Sequence, residues 1–412
     1  MTTSPSVQVE SQALLQQLMD PANRADPYPV YAEFREHGPF LLPSANLAVF
    51  SAYRHCDEVL RHHASSSDQL NSTEAQRAIG NGAQIRPLGP PGFIFLDAPD
   101  HTRLRRLVSK AFVPKVVNAL QPDISALVDG LLDRVAENGQ FDVIRDFAYP
   151  LPVAVICRLL GVPLEDEPQF SRASGQLAQA LDPFVSFNGE SEVGVEERLQ
   201  AGRWLRSYLR DLIEQRRARP GDDLMSALVA VEEAGDQLTT EEIVATCQLL
   251  LIAGHETTVN LIANAILALL RHRPQWTALG ADAGRAPAVV EETMRYDPPV
   301  QLTSRIALED MTIGELTVPK GDTMMLLLAA AQRDGTEFDR PDVFDPDRGA
   351  MRHLGFGLGA HYCLGAPLAR LEAGVALAAV TARFPDARLL DHKPHYKPNV
   401  TLRGLAELAV AV

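Results

Sequence analysis

The chain is poor in cysteine and tryptophan, with four of the first and two of the second in 412 residues. The cysteines stand at 56, 157, 247 and 363, about 90 to 116 residues apart, and no CxxC pair occurs. That spacing argues against a zinc ribbon, a redox dithiol and a clustered iron–sulfur site, which need thiols a few residues apart. A disulfide framework belongs to short secreted chains and is not expected at this length. Basic charge is short too. Lys and Arg number 38 against 53 Asp and Glu, which leaves a formal net charge of −15. Such a chain repels a polyanion, so nucleic acid is not an expected partner. The most apolar stretch, Leu249 to Gly254, is followed at once by His255 and Glu256, too short and too polar to span a membrane. The opening MTTSPSVQVESQ has no basic and no apolar leader region. No signal peptide, no membrane anchor and a cytoplasmic location are therefore the expectation.

What is present reads as a folded, mainly helical protein. Hydrophobic residues make up 46% and charged residues 22%, ordinary values for a globular chain. Apolar periodicity predicts helices over 28–37, 53–62, 101–112, 119–138, 147–160, 194–217, 222–234, 240–271, 285–296 and 365–383. Strand patterns are few and short: 40–42, 47–50, 300–308, 311–313, 323–326 and 401–410. Pro/Gly clusters at 80–92, 219–221 and 385–398 read as loops rather than domain boundaries. The expectation is one mainly α domain over 1–412 with small β-sheets, preceded by a flexible tail over about 1–12.

The 240–271 helix stands out. Thr239 and Glu242 form a capping-box start, and the 32 residues from Thr240 contain no proline. Apolar residues lie on every face, which marks a buried helix. Yet its middle reads Ala253-Gly254-His255-Glu256-Thr257-Thr258. An acid and two hydroxyls at the midpoint of a buried helix call for a reason.

A second segment reads Phe356-Gly357-Leu358-Gly359-Ala360-His361-Tyr362-Cys363-Leu364-Gly365. Its glycines allow close backbone approach. Pro367 suits the first turn of the helix that follows. A sulfur at a helix start feels the positive end of the dipole and free amide donors, which favour thiolate.

This segment resembles the F-G-x-G-x-H-x-C-x-G signature of cytochromes P450 of the soluble bacterial type. The likeness covers nearly the whole chain, from Asp26-Pro27-Tyr28-Pro29 to Arg403-Gly404-Leu405, with several motifs in the family's order. It implies the cytochrome P450 fold, haem b as cofactor and Cys363 as the axial thiolate ligand of the iron. It places Glu256 and Thr257 as the distal acid–alcohol pair that handles protons, with Ala253 and Gly254 beside the haem. It puts His101, Arg105, Arg305 and His361 on the haem propionates, where arginine binds carboxylate bidentately. Phe356, Gly357 and Gly365 flank the cofactor on the cysteine side. Glu292 and Arg295, together with Arg348, match a buried structural set. Arg103 and Arg106 read as exposed. Where the family has Asn-Arg-Asp-Pro, this chain has Gln332-Arg333-Asp334-Gly335, a turn expected to be looser.

The activity implied is monooxygenation: one oxygen atom from O2 enters a small or medium lipophilic substrate. No GxGxxG follows a strand, so electrons are expected from outside, from a ferredoxin and an NAD(P)H-dependent reductase. Arg106, Lys110 and Arg370 are plausible contacts for that partner, and the chain is expected to be a monomer. By analogy the pocket takes in Ile94, Leu181, Val300, Leu302 and Val400, each also readable as plain core. A terpenoid, steroid, macrolide or fatty acid would suit it. Two other readings stay open. One is a haem protein that binds a ligand or gas without turnover, which would need no Glu256-Thr257 pair. The other is a haem-free helical scaffold in which Cys363 is structural.

Overall fold

The computed structural model describes residues 5–82, 88–179, 192–230, 232–233 and 236–412. Leu181 lies outside them. The helices that matter below are α1 (Pro5–Met19), α2 (Tyr28–His37), α3 (Asp100–Ser109), α4 (Pro150–Leu160), α5 (Glu167–Gln179), α6 (Glu192–Ala218), α7 (Thr240–Arg271), α8 (Ala286–Tyr296) and α9 (Ala366–Arg383).

The long helix expected over 240–271 has those bounds, and its start is the reciprocal box. The Thr239 amide donates to Glu242 Oε2 at 2.8 Å, and the Glu242 amide donates to Thr239 Oγ1 at 3.2 Å. By length and composition α7 could cross a membrane, but 61% of its most apolar window is buried within the chain. It is a core helix.

Three expectations need correction. The tail expected over 1–12 is helical from Pro5, because Ser11, Leu14 and Leu18 make a buried stripe at helical spacing. The strand expected over 401–410 shrinks to Ala409–Ala411. Its earlier part turns instead, meeting the 297–301 segment through a single Val300–Leu402 bridge. The sequence pattern also passed over the helices at Thr73–Gly80, Glu167–Gln179 and Arg273–Ala281, where polar and small residues blur the apolar period.

The chain forms two compact units. One comprises Met1–Gln84, Asn260–Cys363 and Leu377–Val412; the other comprises Ile85–Val259 and Leu364–Ala376. Helices α7 and α9 contribute residues to both.

The first unit holds a five-stranded sheet built from β1 (Phe40–Leu42), β2 (Leu47–Phe50), β3 (Ser65–Ser66), β4 (Thr303–Ala307) and β5 (Thr323–Leu326), in the order β1-β2-β5-β4-β3. β2 and β5 run parallel with Met325 opposite Val49; the other pairs are antiparallel. All four residues of β2 are buried, as a strand covered on both faces requires. The apolar core beneath it joins Phe50, Val59, Leu60, Met324 and Leu326 to Leu354 and Leu358. Those last two carry the glycine loop described below.

The turn at 332–335 is not loose. Gln332 accepts from the Leu354 amide at 2.9 Å, Asp334 accepts from the Tyr53 amide at 3.0 Å, and the Arg333 guanidinium lies 3.3 Å from the Tyr28 ring centre. These side-chain bonds do the fixing that a proline would otherwise supply.

The second unit is helical. Its 88–92 segment is clasped to α6 and α7. Arg206 of α6 is almost fully buried; it donates to Glu241 Oε2 at 2.7 Å and to the Pro90 carbonyl at 3.3 Å. Gly89 has a φ of +96°, and a side chain there would meet the Arg206 guanidinium at 3.0 Å, so only glycine fits.

Candidate functional site

In the first unit, residues 356–363 form a closed loop. The Cys363 amide donates to the Phe356 carbonyl at 2.8 Å, and the Tyr362 amide donates to the Gly359 carbonyl at 3.1 Å. Gly357 and Gly359 have φ of +67° and +68°. A Cβ on Gly359 would come within 2.6 Å of the Leu60 carbonyl, so the loop sits on the core only because that residue has no side chain. Phe356 is buried and packs by ring contacts with His353 and Tyr362. His353 in turn meets Glu291 of α8 at 3.0 Å.

Cys363 closes this loop three residues before α9 begins, and it is exposed. The other three cysteines are buried, and burial pushes the thiols of Cys157 and Cys247 up to about 12 and that of Cys56 higher still. Those three stay thiols. Only Cys363 has an accessible sulfur near a helix N-terminus, where a thiolate is favoured.

Behind the loop lies a buried charged set. Glu292 and Arg295 of α8, both wholly buried, pair through two hydrogen bonds of 2.7 and 2.8 Å. Arg348 Nε donates to Glu292 Oε2 at 3.2 Å, and the Asp345 amide donates to Glu292 Oε1 at 2.8 Å. Arg295 also donates to the Gln332, Pro341 and Val343 carbonyls. The three residues are therefore brought together. Arg305 lies on β4, half-buried, and donates to the Ser304 carbonyl at 2.7 Å. His361 is half-buried in the short turn Gly359–His361.

In the second unit the middle of α7 behaves unlike the rest of the helix. Residues on both sides are buried, but Ile252 through Thr257 are all half-buried. This leaves one turn of an apolar helix uncovered, with Ala253, Gly254, Glu256 and Thr257 on it. At Gly254 an added Cβ would sit 3.4 Å from Ile156 of α4, so that side is closely backed. The helix is continuous here. Thr257 Oγ1 donates to the Ala253 carbonyl at 2.7 Å, four residues back, which closes the turn rather than opening it. His255 sits with its ring 4.8 Å from Tyr149, edge to face, and Tyr149 donates to Glu167 Oε1 at 2.6 Å.

His101 is buried on α3 with Phe93 beside it, and Arg105 is half-buried one turn on. Arg103 corrects its sequence reading. It is not a free surface cation but is paired with Glu242 on α7. Arg106 and Lys110 are exposed, and Arg370 is half-buried. Among the expected pocket residues, Leu302 and Val400 are buried and Val300 half-buried, but Ile94 is exposed and is not core.

Glu372 went unread in the sequence. It lies on α9, is buried, and its Oε2 has no partner among the described residues. Burial alone pushes its carboxyl up to about 8. The signal was a lone acid inside the apolar run Leu371 to Val380. Between the unfolded pKa near 4.5 and about 8, the folded chain keeps a proton that the unfolded chain has lost. Folding stability should thus decline as pH rises through that window. We expect Glu372→Gln to leave the unfolding temperature unchanged at pH 5 and to raise it at pH 8, by a free energy on the order of a few kcal/mol. Parallel melting curves of variant and parent at the two pH values check this.

An exposed sulfur at the end of a glycine loop suits a metal that takes one sulfur ligand. The comparisons agree with that chemistry. The family model for cytochrome P450 matches residues 34–278 and 286–396. The vitamin D(3) 25-hydroxylase of Pseudonocardia autotrophica is 40% identical over 397 residues, 94% of each chain. The cytochrome P450 monooxygenase PikC of Streptomyces venezuelae is 38% identical over 401 residues, covering 94% of this chain and 91% of that one. Among solved structures, ligand-free CYP164A2 of Mycobacterium smegmatis superposes with a TM-score of 0.92 at 64% identity, over 97% of this chain and 100% of its own.

Proposed function

Because the chain belongs to the cytochrome P450 family, and so is a haem b monooxygenase acting on lipophilic substrates, we propose that Cys363 is the thiolate ligand of its iron. The observation that carries this is the accessible Cys363 sulfur at the head of α9, held by a loop in which Gly359 has no room for a side chain. Haem, when bound, supplies the reductive activation of O2 that no side chain can perform. Phe356, Gly357 and Gly365 would hold it on the cysteine side, and Ala253 and Gly254 on the helix side. His101, Arg105, Arg305 and His361 would bind its propionates as cationic or N–H donors.

The remaining work falls to Glu256 and Thr257. Glu256 passes protons inward from its carboxylate. Thr257 Oγ1 donates to the Ala253 carbonyl, so its lone pairs face outward as acceptors. In that state the hydroxyl accepts a hydrogen bond rather than donating one to a ligand. It becomes a donor toward the reacting oxygen only when it releases Ala253. Thr257→Ala removes this atom and leaves the helix backbone intact. We expect NADH consumption to continue while product per NADH falls about tenfold or more and hydrogen peroxide rises. Unaltered coupling would remove Thr257 from the proton route.

We assign Val300, Leu302 and Val400 to the substrate pocket, and Ile94 to its approach. A terpenoid, steroid, macrolide or fatty acid fits such apolar walls. The name of the vitamin D(3) hydroxylase relative supports an extended, lipid-like molecule. Electrons come from a ferredoxin and its NAD(P)H-dependent reductase, docking at Arg106, Lys110 and Arg370. We place the protein in the cytoplasm as a monomer of one functional domain. The decisive experiment supplies the purified holoprotein with NADH, a ferredoxin, its reductase and a panel of lipophilic compounds. Oxygenated product from any compound supports turnover. Oxygen binding with no product from the whole panel favours a carrier.

A further inference from the structure

Buried polar atoms gather at one place in the first unit. Asn260 of α7 is wholly buried, and neither its Oδ1 nor its Nδ2 is hydrogen-bonded among the described residues. One turn on, Asn264 gives Nδ2 to the Asp297 carbonyl at 3.1 Å and leaves Oδ1 without a donor. Gln301 gives Nε2 to the Pro298 carbonyl at 2.6 Å and leaves Oε1 without one. Thr401 Oγ1 and the Tyr396 hydroxyl complete the set.

Short contacts tie these residues into one neighbourhood. Gly404 lies flat on the Asn260 amide, so close that a Cβ would come within 2.1 Å of Oδ1. The Gln301 amide donates to the Thr401 carbonyl at 2.8 Å, and the Lys397 amide to the Gly404 carbonyl at 2.9 Å. Asp297, whose carbonyl takes Asn264, accepts from Arg403 Nε at 2.7 Å. A narrow cleft of about 20 Å³, open to solvent, reaches Gln301, Tyr396 and Gly404 from outside. Native chains seldom leave one buried polar atom unpaired, and five residues doing so together mark a bound hydrogen-bonding ligand.

The chemistry of the set selects that ligand. Three amide oxygens accept, one amide nitrogen donates, and two hydroxyls do either. The nearby charges, Asp297 and Arg403, neutralise each other. A small ligand that both donates and accepts satisfies every one of these atoms, and water does both. We propose that this is a buried hydration site, in which a short chain of ordered water enters by the cleft and ends on Asn260. The water fastens the second half of α7 to the turn at 396–404, which carries Val400. The position of Val400 then depends on it, a consequence that rests on the pocket assignment above.

Isosteric substitution in the holoprotein tests this. Asn260→Leu keeps the branched shape and deletes both polar ends; Thr401→Val trades one hydroxyl for a methyl. If water fills the site, both variants strand it. The unfolding temperature should fall by about 2 °C or more for Asn260→Leu and by about 1 °C for Thr401→Val. Magnetic relaxation dispersion should show fewer long-lived internal waters in each. A dry site gives the opposite sign, since deleting unpaired polar atoms stabilises. A raised unfolding temperature in the variants that fold, or an unchanged count of long-lived waters, would overturn the proposal. Binding of 4-phenylimidazole to Thr401→Val separates the pocket consequence. A threefold or greater loss of affinity supports it; unchanged affinity alongside lost water refutes the coupling to Val400 alone.

Discussion

Cys363→Ser is expected to abolish the long-wavelength carbon-monoxide band of a thiolate-ligated haem and, with it, oxygenation. The substitution is well posed because it changes little else. The bond that closes the loop runs from the residue-363 amide to the Phe356 carbonyl, which serine preserves. The side chain is exposed, so almost no packing is lost. The positive φ values at Gly357 and Gly359 are set by backbone and by the Leu60 carbonyl, not by sulfur. The loop should therefore stay folded, with an unfolding temperature close to the parent's. What changes is the ligand. A serine hydroxyl is far less acidic than a thiol, so the electron-rich donor is gone. A carbon-monoxide difference spectrum of the reduced protein reads the outcome directly. An unchanged band would end the ligand assignment and revive a structural role for Cys363.

The second large effect concerns folding. Glu292→Gln should cost roughly 3–5 kcal/mol of stability, the usual penalty for breaking a buried pair from one side. Glu292 accepts from Arg295, Arg348 and the Asp345 amide at once. Glutamine keeps the shape but removes the only carboxylate between two guanidiniums, of which Arg295 has no exposure to solvent. The uncompensated charge, not the lost contact, makes this severe. Arg295→Met should also be damaging, because it leaves Glu292 with Arg348 as its guanidinium partner and removes the side-chain donor to the buried Gln332 and Pro341 carbonyls. The double variant Glu292→Gln/Arg295→Met should be milder than the sum of the singles, since the two side chains are in direct contact and their losses overlap. Denaturant unfolding of all four proteins checks the ordering. Additive losses would show that the pair contributes only through independent packing. The glycine loop leans on the same helix, with a Cβ at Gly355 lying 2.6 Å from the Met294 carbonyl. Loss of haem should therefore accompany loss of stability.

Much of this was legible in the chain itself. The bounds of α7, its capping box and the β1 and β2 strands follow from local periodicity and local hydrogen bonding, which span a few residues each. The segment around Cys363 is likewise a run of consecutive residues. Its glycines advertise a left-handed backbone conformation that other residues seldom adopt.

The illegible parts depend on residues far apart in sequence. Ser11, Leu14 and Leu18 look like a polar tail until the sheet side of the first unit gives their stripe something to cover. Arg103 looks solvated until α7 brings Glu242 to it, 139 positions away. Gln332 and Asp334 replace the rigidity of a missing proline through bonds to Leu354 and Tyr53, which no local pattern announces.

Thus the sequence by itself determined the reaction class, the glycine loop that ends at Cys363 and the long buried helix, because each is encoded in contiguous residues. Tertiary structure decided the protonation of Glu372 and the polar chamber at Asn260. Those are set by desolvation and by which backbone atoms come near, quantities that exist only once the chain has folded.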